Sequence, residues 1–224
     1  MSFTTIIFDL DGTLIDSAPD LQALLEPTLR RAGRRPLSIA ETQRCIGWGM
    51  IRLVERAFTL TGAPLDAGSH DAVIAEFRSR YEATDPSRTR VYPGVAETLA
   101  LLRPGYRIGL CTNKPSGATT LALAALGLAE YFHGVSGGDA IAVRKPDPRH
   151  LFDAIERAGG TAGQAVMVGD SETDIETGRA AGVPTIAVSY GYAHTPPESL
   201  GADRVIARFA DLPATLAELG RTRI

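Results

Sequence analysis

Side chains suited to acid-base, metal-binding and phosphate-binding chemistry follow the apolar runs of this 224-residue chain. Two aspartates with one residue between them, Asp9 and Asp11, stand at the end of an apolar run near the N-terminus. A second run leads into Thr112 and Asn113. Asp170 and Asp174 follow a third run, and Lys145 precedes a helical stretch. Any one of them is compatible with a turn, a helix cap or a solvated surface residue, but their coincidence favours a common site.

The elements that precede these residues explain why they are expected to meet. Short β-rich runs alternate with helical runs, and strands are predicted over residues 4–9, 106–112, 164–168, 185–189 and 203–206. Helices are predicted over residues 95–102, 117–126, 148–158 and 171–181. This alternation predicts an α/β fold, in which a Rossmann-like parallel sheet carries helices on both faces. Ligands of such sheets bind outside the carboxyl ends of the strands, where the polar residues lie.

One long segment interrupts the alternation. Between about residues 17 and 88 the sequence shows amphipathic helical runs without a convincing strand, and both borders are rich in turn-forming residues. We therefore expect a core domain of residues 1–16 and 89–224, and an inserted helical domain of residues 17–88. Pro27 falls inside the first helical run and is expected to kink or split that helix.

The charges of the candidate site indicate a metal ion. Asp9, Asp11 and Asp170 would bring three negative charges to one crevice, and a divalent cation together with Lys145 would offset them. The set offers oxygen ligands, and no cluster of histidine or cysteine accompanies it in the sequence. Such a ligand set favours Mg²⁺ over Zn²⁺.

Phosphate is the second expected ligand of the crevice. When Asp11 carries a proton, the site with its metal ion has a net positive charge and can receive a phosphate group. The hydroxyl of Thr112, the amide of Asn113 and backbone N–H groups around Gly12 would then donate hydrogen bonds to the phosphate oxygens.

Composition and charge exclude several other classes of protein. The chain has 23 basic and 26 acidic residues and a formal net charge of -3, so it lacks the basic surplus that binds nucleic acid. The N-terminal residues do not resemble a signal peptide, and the apolar run 121–129 is far shorter than the roughly 20 residues that cross a bilayer. We expect a cytoplasmic protein without a membrane partner. Cys45 and Cys111 are expected to be buried core residues, and the sequence makes no prediction of oligomeric state.

Four segments of the chain resemble, in order, the four motifs of the haloacid dehalogenase-like hydrolase superfamily. They are Asp9-Leu10-Asp11-Gly12-Thr13-Leu14, Thr112-Asn113, Lys145-Pro146 and Gly169 through Asp174. The helical insertion resembles the C1 cap of that superfamily. Residues 45–49, 55–57 and 92–95 resemble segments of phosphoglycolate phosphatases.

The resemblance implies chemical roles for the aspartates. Asp9 would be the nucleophile that forms an aspartyl-phosphate, and Asp11 would be the general acid and later the general base. Asp9, the backbone carbonyl of Asp11 and Asp170 would hold Mg²⁺. A carboxylate nucleophile is reasonable at neutral pH because its ordinary pKa is about 4. The one-residue spacing of the two acids lets one meet phosphorus and the other the leaving oxygen.

The resemblance also implies roles for the remaining motif residues. Thr112 and Lys145 would bind the phosphoryl group, and Lys145 would restrain the Asp9 carboxylate as well. Asp174 would either support the metal ligands or add one to the set.

The cap is expected to select the substrate. Its turn Gly47-Trp48-Gly49 is the candidate for facing the active site, because glycines let backbone N–H groups approach an anion. The alternative is a plain interhelical turn with Trp48 in the cap core. Arg44 and Arg52 flank the turn and are candidates for binding a substrate carboxylate, unless they are ordinary exposed arginines. The predicted substrate is a small anionic metabolite, 2-phosphoglycolate.

Other functions share this core chemistry. A β-phosphoglucomutase-like phosphotransferase and a pyrophosphatase remain open alternatives. A dehalogenase would lack the second acid, so Asp11 argues against it, and a phosphonate hydrolase would need a cap lysine, which residues 1–107 do not contain. A phospho-accepting signalling module also carries acids, a hydroxyl and a lysine on a parallel sheet, but the inserted cap and the spacing from Asp9 to Asp11 oppose it.

Overall fold

The computed structural model describes residues 3–221. The strands are β1 (Thr5–Phe8), β2 (Ile15–Asp16), β3 (Arg90–Val91), β4 (Arg107–Cys111), β5 (Gly134–Ser136), β6 (Ala165–Gly169), β7 (Thr185–Val188) and β8 (Arg204–Ile206). The helices are α1 (Ala18–Arg31), α2 (Ile39–Gln43), α3 (Met50–Thr61), α4 (Ala67–Ala83), α5 (Val95–Leu102), α6 (Ser116–Ala125), α7 (Pro148–Arg157), α8 (Glu172–Ala181) and α9 (Leu212–Arg221).

A parallel sheet forms the base of the molecule. Within residues 3–221 it has six strands in the order β5-β4-β1-β6-β7-β8. β1 lies at the centre, with Thr5 opposite both Arg107 of β4 and Ala165 of β6. This register brings the carboxyl ends of β1, β4 and β6 to one edge of the sheet. The predicted α/β fold with a Rossmann-like parallel sheet is confirmed.

The sheet is buried on both faces because the side chains of its central strands alternate between two apolar layers. Ile6 and Phe8 of β1 pack on one side, in a cluster that includes Leu99 of α5. Ile7 points to the other side and packs in a cluster with Leu151 of α7. Helices therefore hold the strand ends rigidly from both sides.

Helices α1 to α4 form the segment inserted between β2 and β3. These two strands pair antiparallel, with Asp16 opposite Arg90, so the chain leaves and re-enters the sheet region at adjacent points. The inserted helices share an apolar cluster that includes Leu25, Val54 and Phe77. The predicted domain boundaries stay a prediction, and residues 1–2 and 222–224 of the predicted core lie outside the described residues.

Pro27 does not divide the first helix. α1 is one helix from Ala18 to Arg31 with Pro27 inside it, so of the two expected outcomes the split does not occur, and the kink stays a prediction. A proline removes one backbone hydrogen bond of a helix. Leu21, Leu25 and Leu29 are buried on both sides of Pro27 and hold the two halves against the neighbouring helices.

One prediction about single residues agrees with the structure. Cys45 and Cys111 are buried and unpaired. Within residues 3–221, the structure contains no helix that is both long enough and apolar enough to span a membrane.

Candidate active site

The polar residues predicted from the strand ends do meet in the structure. Asp9, Thr112 and Asp170 directly follow β1, β4 and β6, which are neighbours in the sheet. All three are buried, with at most 6% of each residue exposed. Lys145 and Asp174 join them from the loop before α7 and from the first turn of α8.

Lys145 is the central cation of this group. Its Nζ lies 2.8 Å from Asp9 Oδ1, an ionic contact without hydrogen-bond geometry, and donates a hydrogen bond of 2.6 Å to Asp174 Oδ1. Burial by itself would lower the pKa of Lys145, but the carboxylates of Asp174 and Asp9 outweigh it and hold that pKa above its ordinary value. Lys145 therefore stays charged and restrains the Asp9 carboxylate.

Asn113 joins the loop of Lys145 to the cap turn. Its Oδ1 accepts a hydrogen bond of 3.0 Å from the backbone N–H of Lys145. Its Nδ2 donates to the carbonyls of Lys145, at 3.1 Å, and of Gly47, at 2.8 Å. The donors of the amide are thus used within the protein. These contacts favour a positioning role for Asn113, and its contact with phosphate stays a prediction.

Asp174 organises the loop that follows β6. Its Oδ2 accepts hydrogen bonds from the backbone N–H groups of Asp170 and Ser171 and from the Ser171 hydroxyl, which forms a capping box at the start of α8. Its Oδ1 accepts from Lys145. Because both oxygens are engaged, the geometry favours Asp174 as the residue that positions Asp170 and Lys145.

Asp170 is a buried carboxylate held by neutral donors. The Thr13 hydroxyl donates to its Oδ1 at 2.9 Å, and the backbone N–H of Tyr192 donates to its Oδ2 at 2.6 Å. Burial and the nearby carboxylates of Asp174 and Asp9 raise the pKa of Asp170 well above its ordinary value. Among residues 3–221, no cationic side chain forms an ion pair with Asp170. A carboxylate in this environment needs an added positive charge to stay ionised.

Three carboxylates form a group that can hold a metal ion. One oxygen each of Asp9, Asp170 and Asp174 lies within 4.8 Å of the others. Burial raises the pKa of Asp9 to about 7 against the opposing effect of Lys145, so the charge of Lys145 does not fully compensate this carboxylate. Buried hard oxygen donors with excess negative charge fit a hard divalent cation. The contribution of the Asp11 backbone carbonyl stays a prediction.

Gly12 is required for the close approach of Asp170. Its φ is +91°, in the region that favours glycine. A Cβ at this position would lie 2.3 Å from Asp170 Oδ2, well inside van der Waals contact. The turn after β1 can therefore pack directly against the acidic cluster only with glycine here.

A cavity of about 390 Å³, partly open to solvent, lies over these residues. Asp9, Asp11 and Thr112 line its sheet side, and Gly47 and Gly49 line it from the cap, as predicted for this turn. The other lining residues are Leu21, Ile46, Met50, Leu53, Tyr81, Asn113, Lys114 and Pro115. A cavity of this size suits a small ligand.

Trp48 connects the cap turn to the sheet region. Its ring stacks on His194, with 4.8 Å between centroids, and the Arg56 guanidinium lies 4.1 Å from the Trp48 centroid. Trp48 is partly exposed. The alternative that places Trp48 in the cap core is therefore wrong.

Arg44 and Arg52 do not reach the cavity. Both are exposed, and Arg52 forms an ion pair of 2.8 Å with Glu55. Helix α3 turns Met50 and Leu53 inward, so its geometry directs Arg52 toward solvent. The structure does not support either arginine as the ligand of a substrate carboxylate.

Lys114 is a site residue to which the sequence interpretation assigns no role. Its Nζ lies 3.1 Å from Asp11 Oδ1 and 5.2 Å from the ring centroid of Tyr81 in α4. Burial would lower the pKa of Lys114, but Asp11 and Tyr81 outweigh it and raise that pKa. The usable sequence signal is its position directly after Thr112 and Asn113.

His150 holds the backbone of Lys145 through a hydrogen bond. Its Nδ1 accepts the backbone N–H of Lys145 at 3.1 Å, so Nε2 carries the proton and donates to the carbonyl of Gly137, also at 3.1 Å. The residue is fully buried, and burial, followed by the charge of Lys145, lowers the pKa of His150 to about 4. The ring is therefore neutral in the folded protein at neutral pH.

Acidification is expected to destabilise the protein through His150. In the unfolded chain this ring takes up a proton near pH 6.5, whereas in the folded chain it does so only near pH 4. The free energy of unfolding should therefore fall as the pH drops through this window, by at most about 3 kcal/mol. Urea unfolding of the wild type and of His150→Asn at several pH values tests this. The variant should show a flatter pH dependence, and parallel curves would contradict the expectation.

Comparison with known proteins gives consistent findings. A family model described as haloacid dehalogenase-like hydrolase matches residues 6–188. A phosphoglycolate phosphatase of Mesorhizobium japonicum is 42% identical over 219 residues, which cover 97% of this chain and 96% of that protein. One of Rhodospirillum rubrum is 44% identical over 212 residues, covering 92% and 88%. The crystal structure of a predicted phosphoglycolate phosphatase from Haemophilus somnus superposes with a TM-score of 0.87 at 30% identity, covering 96% of this chain and 98% of that one.

Proposed function

The chain belongs to the haloacid dehalogenase-like hydrolase family, and on this basis we propose that it is a Mg²⁺-dependent phosphatase of 2-phosphoglycolate. The predictions of this family and of a phosphatase are confirmed by the relatives. The proposed substrate is the one in the name of these relatives, phosphoglycolate phosphatase. The observation that best supports the proposed chemistry is the buried group of Asp9, Thr112 and Lys145 beneath a cavity for a small ligand.

Asp9 is the nucleophile of the proposed reaction. The Lys145 ammonium holds its carboxylate at 2.8 Å, and Lys145 and Thr112 receive the oxygens of the phosphoryl group. An oxygen of Asp9 forms a bond to phosphorus while the bond from phosphorus to the leaving oxygen breaks, which gives an aspartyl-phosphate. Asp11 donates the proton that the leaving oxygen needs.

Asp11 also serves the second half of the proposed reaction. As a carboxylate it accepts a proton from the water that attacks phosphorus, and the bond between phosphorus and Asp9 breaks. Inorganic phosphate leaves, and the Asp9 carboxylate is restored. The Asp11 side chain lines the cavity and is 11% exposed, so both the leaving group and water can reach it.

Mg²⁺ is the proposed cofactor. Asp9, Asp170 and the backbone carbonyl of Asp11 would hold the ion, and Asp174 would support them. The bound ion supplies positive charge that stabilises the charge developing on the phosphoryl oxygens. Thr13 and the backbone of Tyr192 fix the Asp170 carboxylate in the orientation needed for this role.

We propose that residues 17–88 act as a cap domain that closes over the crevice and excludes water during phosphoryl transfer. The hydrogen bond from Asn113 to Gly47 and the stack of Trp48 on His194 are contacts that would break on opening. In the same proposal the enzyme works in the cytoplasm on a small phosphorylated metabolite, without nucleic-acid or membrane partners.

A substrate panel tests the proposed activity. We expect kcat/KM for 2-phosphoglycolate to exceed that for bulky sugar phosphates by about 10- to 150-fold, which is the selectivity that one buried, charge-assisted hydrogen bond provides. The panel includes inorganic pyrophosphate and β-glucose 1-phosphate. Product analysis distinguishes hydrolysis from transfer of the phosphoryl group to a sugar.

Each remaining alternative has its own outcome in this panel. Glucose 6-phosphate formed from β-glucose 1-phosphate would establish a mutase, and preferred cleavage of pyrophosphate would establish a pyrophosphatase. A stable phosphoprotein without turnover would indicate a signalling module. Equal efficiency on phosphoglycolate and on bulky sugar phosphates would reject the proposed substrate while leaving the phosphatase chemistry in place.

A further inference from the structure

The chain contains two lysines, and both lie in the active site. The other 21 of its 23 basic residues are arginines. Lys145 contacts Asp9, and Lys114 lines the cavity beside Asp11. A lysine ammonium is a compact point charge, whereas a guanidinium is a larger planar fork. The chain thus has lysine, the compact cation, at two positions. One faces the substrate cavity, and the other faces the proposed nucleophile Asp9.

The two lysines differ in the number of carboxylates that contact each ammonium group. Lys145 is 3% exposed and lies between two carboxylates, 2.8 Å from Asp9 and 2.6 Å from Asp174. These distances are typical of charge-assisted contacts between an ammonium and a carboxylate. Lys145 therefore acts at the nucleophile and at the phosphoryl group that the nucleophile receives, rather than at the leaving group.

Lys114 has capacity for another anionic partner. Its carboxylate contacts are to Asp11 alone, at the longer distances of 3.1 and 3.3 Å. Its other close neighbour is Tyr81, whose ring centroid lies 5.2 Å from Nζ and whose side chain also interacts with the ammonium through a hydrogen bond. Tyr81 is an uncharged partner, so Asp11 is the one carboxylate that offsets the charge of Lys114. Among the described residues that line the cavity, Lys114 is the one with a positive charge.

The position of Lys114 matches the position of the leaving group. Asp11 is the residue that donates a proton to the leaving oxygen in the proposed function, and Lys114 Nζ lies 3.1 Å from the Asp11 carboxylate. In 2-phosphoglycolate the carboxylate carbon is only two bonds from that oxygen. A carboxylate there falls beside Lys114, with the apolar wall of Leu21, Leu53 and Tyr81 around it.

We propose that Lys114 binds the carboxylate of the substrate's leaving group and thereby selects anionic over neutral leaving groups. This inference rests on the proposed phosphatase function and assigns to Lys114 the specificity that the sequence suggested for Arg44 and Arg52. Tyr81 of α4 lies over the ammonium, so the cap contributes to the same subsite.

A comparison of two matched substrates tests the proposal. 2-Phosphoglycolate and carbamoylmethyl phosphate differ at one group of similar size, which is a charged carboxylate in the first and a neutral carboxamide in the second. We expect the wild type to prefer the carboxylate by about 10- to 150-fold in kcat/KM, and Lys114→Met to reduce this preference to less than about threefold. Because Lys114 also contacts Asp11, both substrates should lose rate, and the ratio isolates the carboxylate contact. Arg52→Met is the matched control and should keep the wild-type ratio.

Carbon-13 NMR gives a readout that does not depend on activity or on the stability of the variant. Wild-type protein labelled at lysine Cε should show two lysine signals, one for each lysine of the chain. We expect glycolate, the product that carries the carboxylate, to shift the Lys114 signal and leave the Lys145 signal nearly unchanged. Lys114→Arg, which removes one signal, provides the assignment.

The outcomes separate this inference from the proposed function. If the wild type hydrolyses phosphomonoesters but Lys114→Met keeps the preference for the carboxylate, or glycolate does not move the Lys114 signal, the role of Lys114 is wrong and the phosphatase stands. If the wild type hydrolyses no phosphomonoester, the proposed function fails, and the inference fails with it.

Discussion

Asp9→Asn is expected to abolish turnover, with a loss on the order of 10⁵-fold or more in kcat. The amide oxygen is a poor nucleophile, and the substitution also removes one negative charge from the group of Asp9, Asp170 and Asp174. The variant should remain folded because burial disfavours the charge that is removed and raises the pKa of Asp9 to about 7, while Lys145 keeps its ion pair with Asp174. Steady-state kinetics and thermal melting measured on the same sample test both expectations.

Two comparison variants test whether the loss of activity is specific to the substitution of Asp9. Asp11→Asn should cost about 100- to 10,000-fold, the usual range for a general acid, and it should still form phosphoenzyme from a substrate with a good leaving group. Asp9→Asn should form none. Asp211→Asn, which removes a carboxylate paired with Arg208 at the surface, should behave like the wild type. Substantial turnover by Asp9→Asn would remove Asp9 from the mechanism.

Periodicity in the sequence predicts the elements that build the site. β1, β4 and β6 are mainly apolar runs of four or five residues that are buried on both faces, and each ends within about a residue of its predicted limit. Polar residues follow each run at once, so the rule for parallel sheets places them correctly at one edge. The sequence does not predict β5, the pair β2 and β3, or α9. The strands among these have two or three residues, so an alternation is hard to recognise in them, although the sequence does predict β8, which also has three residues.

The interactions within the site are less predictable than its location. The sequence indicates that Asp9 and Lys145 share a crevice, but it does not indicate that Asn113 and His150 both hold the backbone of Lys145. These contacts depend on how the loop before α7 crosses the end of β4. Such a path is set by tertiary packing, which leaves no periodic signal in the sequence.

The two arginines near the cap turn show why adjacency in sequence misleads. Arg52 is three residues from Gly49, but a helix places that position on the face opposite to its buried residues. Lys114 lies 65 positions from Gly49 and yet lines the same cavity. The signal that points to Lys114 is compositional, because a chain that otherwise uses arginine has lysine at this position and at Lys145.

The charges of the site are the basis for expecting that activity depends on the proposed metal ion. Asp9, Asp11, Asp170 and Asp174 carry four carboxylates, and Lys114 and Lys145 supply two positive charges. A divalent cation would balance the remaining two negative charges. Because Asp170 has only neutral hydrogen-bond donors, it is the carboxylate that the cation would stabilise most.

Removal of divalent cations is therefore expected to abolish hydrolysis, and Mg²⁺ is expected to restore it. Mg²⁺ at about 100 times its dissociation constant should also stabilise the folded protein by about 2.7 kcal/mol, which corresponds to a rise in Tm of about 5 to 10 °C. Thermal melting measures this without reference to activity. Asp170→Asn should lose both the rise in Tm and the activity, whereas Asp211→Asn should keep both. Undiminished hydrolysis after thorough chelation would show that the acidic cluster acts without a metal, and Asp170 would then need another role.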